Sequence, residues 1–351
     1  MGNTRKIKIE VAIAIAALVV FLSLTPLACT IKRKIANPEN GTTEPPAPQI
    51  PAEVFKYTIH ALGLRSYGTG KAPRFVKELG TIRGYKARVL AYESDGITQY
   101  VLEHRPAGAV PKDGWPLIIV AHGHVTPSQW TTEGNYISVS SRYAAGGFLI
   151  LKPDYRGHGN SGGEAPGAYR AAAYAIDVLN LAHDALLLPY IDTSRIFLYG
   201  HSMGGSVALA TLEASSIFKA ASIWAGVTRP FPEDTLYYLS RRDKAQADLR
   251  REELKINPGE YFFPLFSPIS NLDKIKVPLI IRHGTADLSV PFEWSTEFRA
   301  ALDAADVRYE FVEYPGADHN ISQSFNKALD ADLIDRKSKR LNSSHRIRSR
   351  M

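Results

Sequence analysis

Ser202, Asp287 and His319 are the residues whose types and spacing could do chemistry. Ser202 sits in Gly200-His201-Ser202-Met203-Gly204, the pattern G-x-S-x-G, entered from an apolar run at 196–199. A serine hydroxyl is a poor nucleophile near neutral pH. It needs an imidazole to take its proton, and the imidazole needs a carboxylate to fix its tautomer and stabilise its charged form. Asp287 closes Arg282-His283-Gly284-Thr285-Ala286-Asp287 after an apolar run at 279–281, and His319 follows Asp318 after another at 309–312. The chemistry this order of serine, aspartate and histidine would serve is acyl transfer through a covalent serine intermediate. Each residue alone has a blander reading, the first as a glycine-rich turn and the others as turn or capping residues. Asp318 is the competing acid, but neighbouring side chains on an extended loop point apart, which favours Asp287 as the partner of His319.

A tetrahedral oxyanion needs backbone donors from the residue after the nucleophile and from the loop after an early strand. Met203 supplies the first, and His122-Gly123-His124, directly after an apolar run at 117–121, supplies the second. His122 and His124, with His158, could instead bind a metal. No carboxylate accompanies them and glycine serves an oxyanion loop better, so neither metal nor cofactor is expected. The glycine-rich stretch at 154–163 lacks the lysine-hydroxyl ending of a phosphate-binding loop, which leaves Asp154 and Arg156 as structural anchors.

The elements that must position these residues alternate. Two β-rich runs at 85–92 and 97–103, joined by Glu93-Ser94-Asp95-Gly96, read as a hairpin. Short apolar runs at 117–121, 148–151, 196–199, 220–225, 279–281 and 309–312 suit strands covered on both faces. Helical patterns lie between them at 136–145, 168–188, 206–213 and 292–305. The expected class is α/β: a mostly parallel, doubly covered sheet opened by an antiparallel hairpin, with ligands at the carboxyl ends of the strands. Residues 227–268 break the alternation with a charged helical run at 240–255 and the aromatic stretch Tyr261-Phe262-Phe263-Pro264-Leu265-Phe266. This interval is expected to form a small helical cap whose aromatics wall the site.

The chain has 351 residues and a net charge of +7, with 45% hydrophobic residues, enough to bury a sizeable core. Residues 1–34 contribute +5 and residues 335–351 contribute +6, so the intervening body carries −4. An acidic body excludes a nucleic-acid-binding reading. Residues 1–34 pair basic flanks with an apolar run from residue 11 to 28, ending at Cys29, the single cysteine, in Pro26-Leu27-Ala28-Cys29. They read as an export signal or as a membrane or lipid anchor, which implies a membrane partner and a location outside the cytoplasm, anchored or secreted. The proline-rich linker at 35–50 follows, then the main domain at 51–334. Residues 335–351 read as a non-native tail, because Asp335-Arg336-Lys337-Ser338 is the in-frame translation of GATCGGAAGAGC, a common sequencing adapter. Nothing in the pattern specifies an oligomeric state.

His122-Gly123, Asp154-Tyr155-Arg156-Gly157-His158-Gly159, Gly200-His201-Ser202-Met203-Gly204, His283-Gly284-Thr285-Ala286-Asp287 and Asp318-His319 together resemble the catalytic domain of the prolyl oligopeptidase and acylaminoacyl-peptidase group. The likeness covers about residues 85–333. It implies the α/β-hydrolase fold and serine hydrolysis of an ester or amide, with Ser202, Asp287 and His319 as the triad. Peptidases of that group carry a β-propeller before this domain, for which residues 51–84 are too short, and some place a tyrosine hydroxyl in the oxyanion hole near the position of His122. A small-molecule ester is therefore the first expectation for substrate, a peptide the second, and an inactive binding module the third.

Overall fold

The computed structural model describes residues 50, 52–82, 84–166, 171–256 and 260–337. Two short helices, α1 (Ala52–Phe55) and α2 (Ile59–Leu64), lead into β1 (Arg74–Ile82), β2 (Tyr85–Ser94) and β3 (Ile97–Pro106). The β2–β3 turn is Asp95-Gly96, both at positive φ (54° and 75°), the backbone a two-residue hairpin of this hand requires. Alternation then begins: β4 (Trp115–Ala121), α3 (Ile137–Ala145), β5 (Leu149–Pro153), α4 (Ala171–Ala185), β6 (Ile191–His201), α5 (Met203–Ala214) and β7 (Ala220–Trp224). After β7 come α6 (Glu233–Ser240) and α7 (Lys244–Ile256), then β8 (Leu279–Gly284), α8 (Phe292–Ala304), β9 (Tyr309–Tyr314) and α9 (Phe325–Lys337).

The described strands form one nine-stranded sheet in the order β1-β2-β3-β5-β4-β6-β7-β8-β9. Pairing is antiparallel from β1 through β5 and parallel from β5 onward. This is the mixed, mostly parallel sheet with an antiparallel start that the periodicity predicts. Apolar runs work here because both faces are covered. β4, β5 and β7 are buried at every position. On one face Leu117, Leu198, Ile223 and Ile281 pack with α4 and α5; on the other Ile118, Tyr199 and Trp224 pack with Tyr143 of α3 and Leu329 of α9. The swap of β4 and β5 in the order puts a crossover beside β6, so the carboxyl ends of β4 and β6 adjoin where a ligand crevice opens.

β1 escapes sequence patterning. Its register against β2 shifts twice, at Phe75/Lys77 and Glu78/Gly80, so the period of two is lost, and Phe75 and Val76 stay exposed at the sheet edge.

Membrane attachment through the N-terminal segment, and the anchored location drawn from it, is corrected. Among the described residues no helix is long and apolar enough to cross a membrane. A spanning helix needs about 20 apolar residues, and the longest described helix, α4, has 15 residues. Residues 1–34, on which the expectation fell, lie outside the described residues, as do the linker up to residue 49 and residues 338–351. α9 continues through Lys337, so the first three residues of the expected non-native tail are helical.

Candidate active site

β6 ends at His201 and α5 begins at Met203, which leaves Ser202 alone in the turn at φ 57°, ψ −123°. A non-glycine residue there costs on the order of 1–3 kcal/mol and persists only where its surroundings hold it. Three main-chain bonds do so: Ser202 N–H to Trp224 O (3.0 Å), Val227 N–H to Ser202 O (3.0 Å) and Gly205 N–H to Ser202 O (2.8 Å). The flanking glycines are steric necessities. A Cβ on Gly204 would lie 2.0 Å from Ala121 O, and one on Gly200 2.4 Å from Gly204 O. Met203 opens α5, so its N–H belongs to the first turn, whose donors have no carbonyl within the helix.

Asp287 and His319 come from the loops after β8 and β9. The two loops are laced by Thr285 N–H to Tyr314 O and Ala286 N–H to Ala317 O, both 3.0 Å. His319 Nδ1 lies 2.7 Å from Asp287 Oδ2, so this nitrogen carries the proton and Nε2 is left as the basic lone pair. A second histidine grips the same oxygen: His283 Nε2 donates to Asp287 Oδ2 (2.9 Å), while its Nδ1 accepts from Ser295 Oγ (2.6 Å). The other oxygen, Oδ1, accepts from the N–H groups of Ser289 (2.7 Å) and Val290 (3.0 Å). Burial alone would raise the Asp287 carboxyl. The hydrogen bonds from His283 and His319, the charge of His319 and the Val290 N–H outweigh it and hold the group well below the usual carboxylate range. Asp318 is turned elsewhere, accepting from Ser322 N–H (2.8 Å) and Ser322 Oγ (2.7 Å).

The loop after β4 closes the third side. His122 is a buried plate between Trp130 and Tyr155, with ring centroids 3.8 and 4.0 Å away. Its Nδ1 donates to Gly123 O (2.8 Å), and burial pushes its pKa well down, so it is a neutral wedge. The wedge rests on the anchors below it. Asp154 accepts from Trp130 Nε1 (2.8 Å) and from Thr132, and Arg156 grips Asp177 through Nη2 (2.8 Å) and Nε (3.0 Å). Gly123 lies against the serine, since a Cβ there would be 3.0 Å from Ser202 Cβ. Its N–H is already committed to Tyr136 Oη (2.7 Å), which removes Gly123 from the expected donors Met203, His122, Gly123 and His124.

The interval between β7 and β8 touches the loop that carries Asp287. Arg241 Nη1 donates to Leu288 O (2.8 Å), next to Asp287, and the charge of Arg242 adds to burial in lowering the His124 pKa. Phe262 meets Phe263 edge-on and Phe266 at a tilt (ring centroids 6.2 and 4.5 Å apart), and Phe263 joins Leu236 and Leu254 in a core belonging to the insertion. The charged helical run expected over 240–255 is helical from Lys244 on, in α7; Ser240 ends α6, and Arg241-Arg242-Asp243 separate the two.

Three side chains at the site had no role in the sequence reading: His283, Tyr136 and His201. The spacing of His283 and Asp287, four apart around a strand end, was a usable signal. Tyr136 carried none, because its partner His201 is 65 residues away.

Residues 135–335, more than half the chain, match the prolyl oligopeptidase family. Among curated proteins the chain is 29% identical over 238 residues to "Probable dipeptidyl-aminopeptidase B" of Ajellomyces capsulatus, covering 65% of this chain and 24% of that one. The chain thus spans about a quarter of the length of the curated relatives it matches. Among solved structures it is similar to Pyrococcus horikoshii acylaminoacyl peptidase (TM-score 0.60, 19% identity, 73% of this chain and 42% of that one). It is also similar to Est1E from Butyrivibrio proteoclasticus, solved with ferulic acid bound (TM-score 0.52, 19% identity, 71% of this chain and 99% of that one). With its α/β-hydrolase sheet and its match over residues 135–335, the chain belongs to the prolyl oligopeptidase family of serine hydrolases and peptidases.

Proposed function

We propose that the domain at 51–334 hydrolyses small or medium esters, and amides more slowly, through an acyl-enzyme on Ser202. The observation that carries this reading is the 2.7 Å bond from His319 Nδ1 to Asp287 Oδ2, with the His319 carbonyl 3.2 Å from Nε2 of His201, the residue before a serine held at φ 57°. His319 Nε2 takes the Ser202 proton as Oγ bonds to the acyl carbon, and Asp287 stabilises the imidazolium. The N–H groups of Met203 and His124 receive the oxyanion, since that of Gly123 is engaged by Tyr136. Collapse breaks the bond to the leaving group, which takes the proton from His319, and water then repeats the sequence to free the acid. Residues 227–268 act as a cap over the acyl or leaving group. Esters are preferred because an alkoxide leaves more readily than an amine.

A second reading, a peptidase, is favoured by the names of the curated relatives and by the family itself. A panel of p-nitrophenyl esters beside aminoacyl and acylpeptide anilides separates the two. Faster turnover of esters supports the first, and release of amino-terminal residues from unblocked peptides faster than any ester replaces it.

A further inference from the structure

Tyr136 and His201 form a hydrogen-bond chain whose every proton can be assigned. His201 is buried, and burial, with the charge of nearby His319, pushes its pKa down to about 3, so one ring nitrogen alone carries a proton. Its Nε2 faces the main-chain oxygen of His319 (3.2 Å), a pure acceptor, so Nε2 is the donor. Nδ1 must then accept, and its partner is Tyr136 Oη at 2.7 Å, a phenol that burial keeps protonated. Having given its proton to His201, Tyr136 Oη accepts the N–H of Gly123 at 2.7 Å. The chain runs in one direction, from Gly123 N–H through Tyr136 and His201 to the carbonyl of His319.

Its three stations are the loop against Ser202, the residue preceding Ser202, and the backbone of His319. Only a glycine at 123 lets the phenol in, because a Cβ there would lie 2.4 Å from Tyr136 Oη. Tyr136 itself is held at φ 57°, ψ 21°, a left-handed conformation uncommon for an aromatic residue, at the start of α3. The sheet spaces the strands but not the loops beyond their ends, and this chain spans those loops directly.

We propose that Tyr136 and His201 are positioning residues that lock the oxyanion loop, the nucleophile turn and the His319 loop in one register through this single hydrogen-bond chain. The inference rests on the serine-hydrolase reading above. The His201 ring also packs against the His319 ring, with centroids 4.7 Å apart, so breaking the chain acts on the placement of the base and hence on the rate of the chemical step, and little on substrate binding. A cavity of about 480 Å³ beside them, lined in part by Tyr199, Trp224 and Phe325, leaves room for water to meet stranded atoms, so Tyr136→Phe should fold.

The test compares wild type, Tyr136→Phe, His201→Phe, the double variant and His201→Gln on p-nitrophenyl butyrate, with rates expressed per serine titrated by a fluorophosphonate. Each single Phe variant is expected to lose roughly 10- to 100-fold in kcat at near-constant KM, the scale of a small misplacement of reacting groups. The double variant should be no slower than the worse single, because both break one chain. His201→Gln keeps an N–H for the His319 carbonyl and an oxygen for Tyr136, and should recover most of the rate. If His201→Phe does not fold, Tyr136→Phe and His201→Gln carry the same comparison. A Tyr136→Phe enzyme at wild-type rate per titrated serine, multiplying losses in the double variant, or a loss confined to KM would overturn the proposal while leaving the hydrolase reading standing. A wild type that neither titrates nor turns over would remove both.

Discussion

The Asp287 carboxylate holds two imidazoles on one oxygen: His319 Nδ1 at 2.7 Å and His283 Nε2 at 2.9 Å both converge on Oδ2. An oxygen shared in this way cannot rotate to follow His319, so His319 must come to it. With Oδ1 fixed by the Ser289 and Val290 N–H groups, the acid of the proposed triad is immobilised on both sides.

Asp287→Asn should therefore lower kcat by about three to four orders of magnitude, because an amide in place of Oδ2 disfavours the tautomer that leaves Nε2 basic. Asp318→Asn should cost far less, since that carboxylate serves Ser322. Steady-state rates on a p-nitrophenyl ester decide it, and the reverse ranking contradicts the assignment.

Folding lowers the Asp287 pKa from its ordinary value of 3.8. The unfolded chain therefore takes up this proton first as the solution is acidified. The stability contributed by the group is fully present above the unfolded pKa and is lost as pH falls through 3.8 and below. Chemical denaturation of wild type and Asp287→Asn between neutral pH and pH ~3 should show their stability difference shrinking as pH falls. A difference that grows with acidity would contradict the sign.

Gly204→Ala places a methyl 2.0 Å from Ala121 O, a backbone atom that cannot step aside. The start of α5 must shift away from β4, at a cost of about 1–3 kcal/mol and with Ser202 displaced. Urea melts and probe labelling should both register it. An alanine variant of wild-type stability and rate would mean that the elbow is looser than the structure has it.

Phe263→Ala empties the centre of the small core formed with Leu236 and Leu254. That cluster belongs to the insertion and not to the sheet, so the loss should fall on substrate capture. KM for apolar esters should rise by roughly tenfold while labelling of Ser202 by a small probe is retained. Unchanged KM values across a chain-length series would detach the cap from substrate binding.

The parts of this molecule legible in the sequence are those whose cause is local. Buried parallel strands announce themselves as short apolar runs, and the turn at Ser202 through Gly200 and Gly204. Asp287 and His319 stand just past such runs, and the sheet brings such positions to one edge whatever else the chain does. β1 was illegible because its two register shifts erase the alternation that marks a strand. α7 was legible as a charged run, whereas α6 before it, Glu233–Ser240, was not. Tyr136, His201 and the commitment of the Gly123 N–H were illegible for a different reason. They depend on contacts between loops far apart in the chain and on a left-handed backbone at a tyrosine, which no residue type signals.

The most direct measurement of the central claim is covalent labelling of Ser202 by a fluorophosphonate, followed by peptide mapping of the labelled protein. The predicted result is one adduct per chain on Ser202, abolished in Ser202→Ala and strongly slowed in His319→Ala, with ester turnover lost in step. Folded protein that takes no label at Ser202, or an ester activity that survives Ser202→Ala, would contradict it.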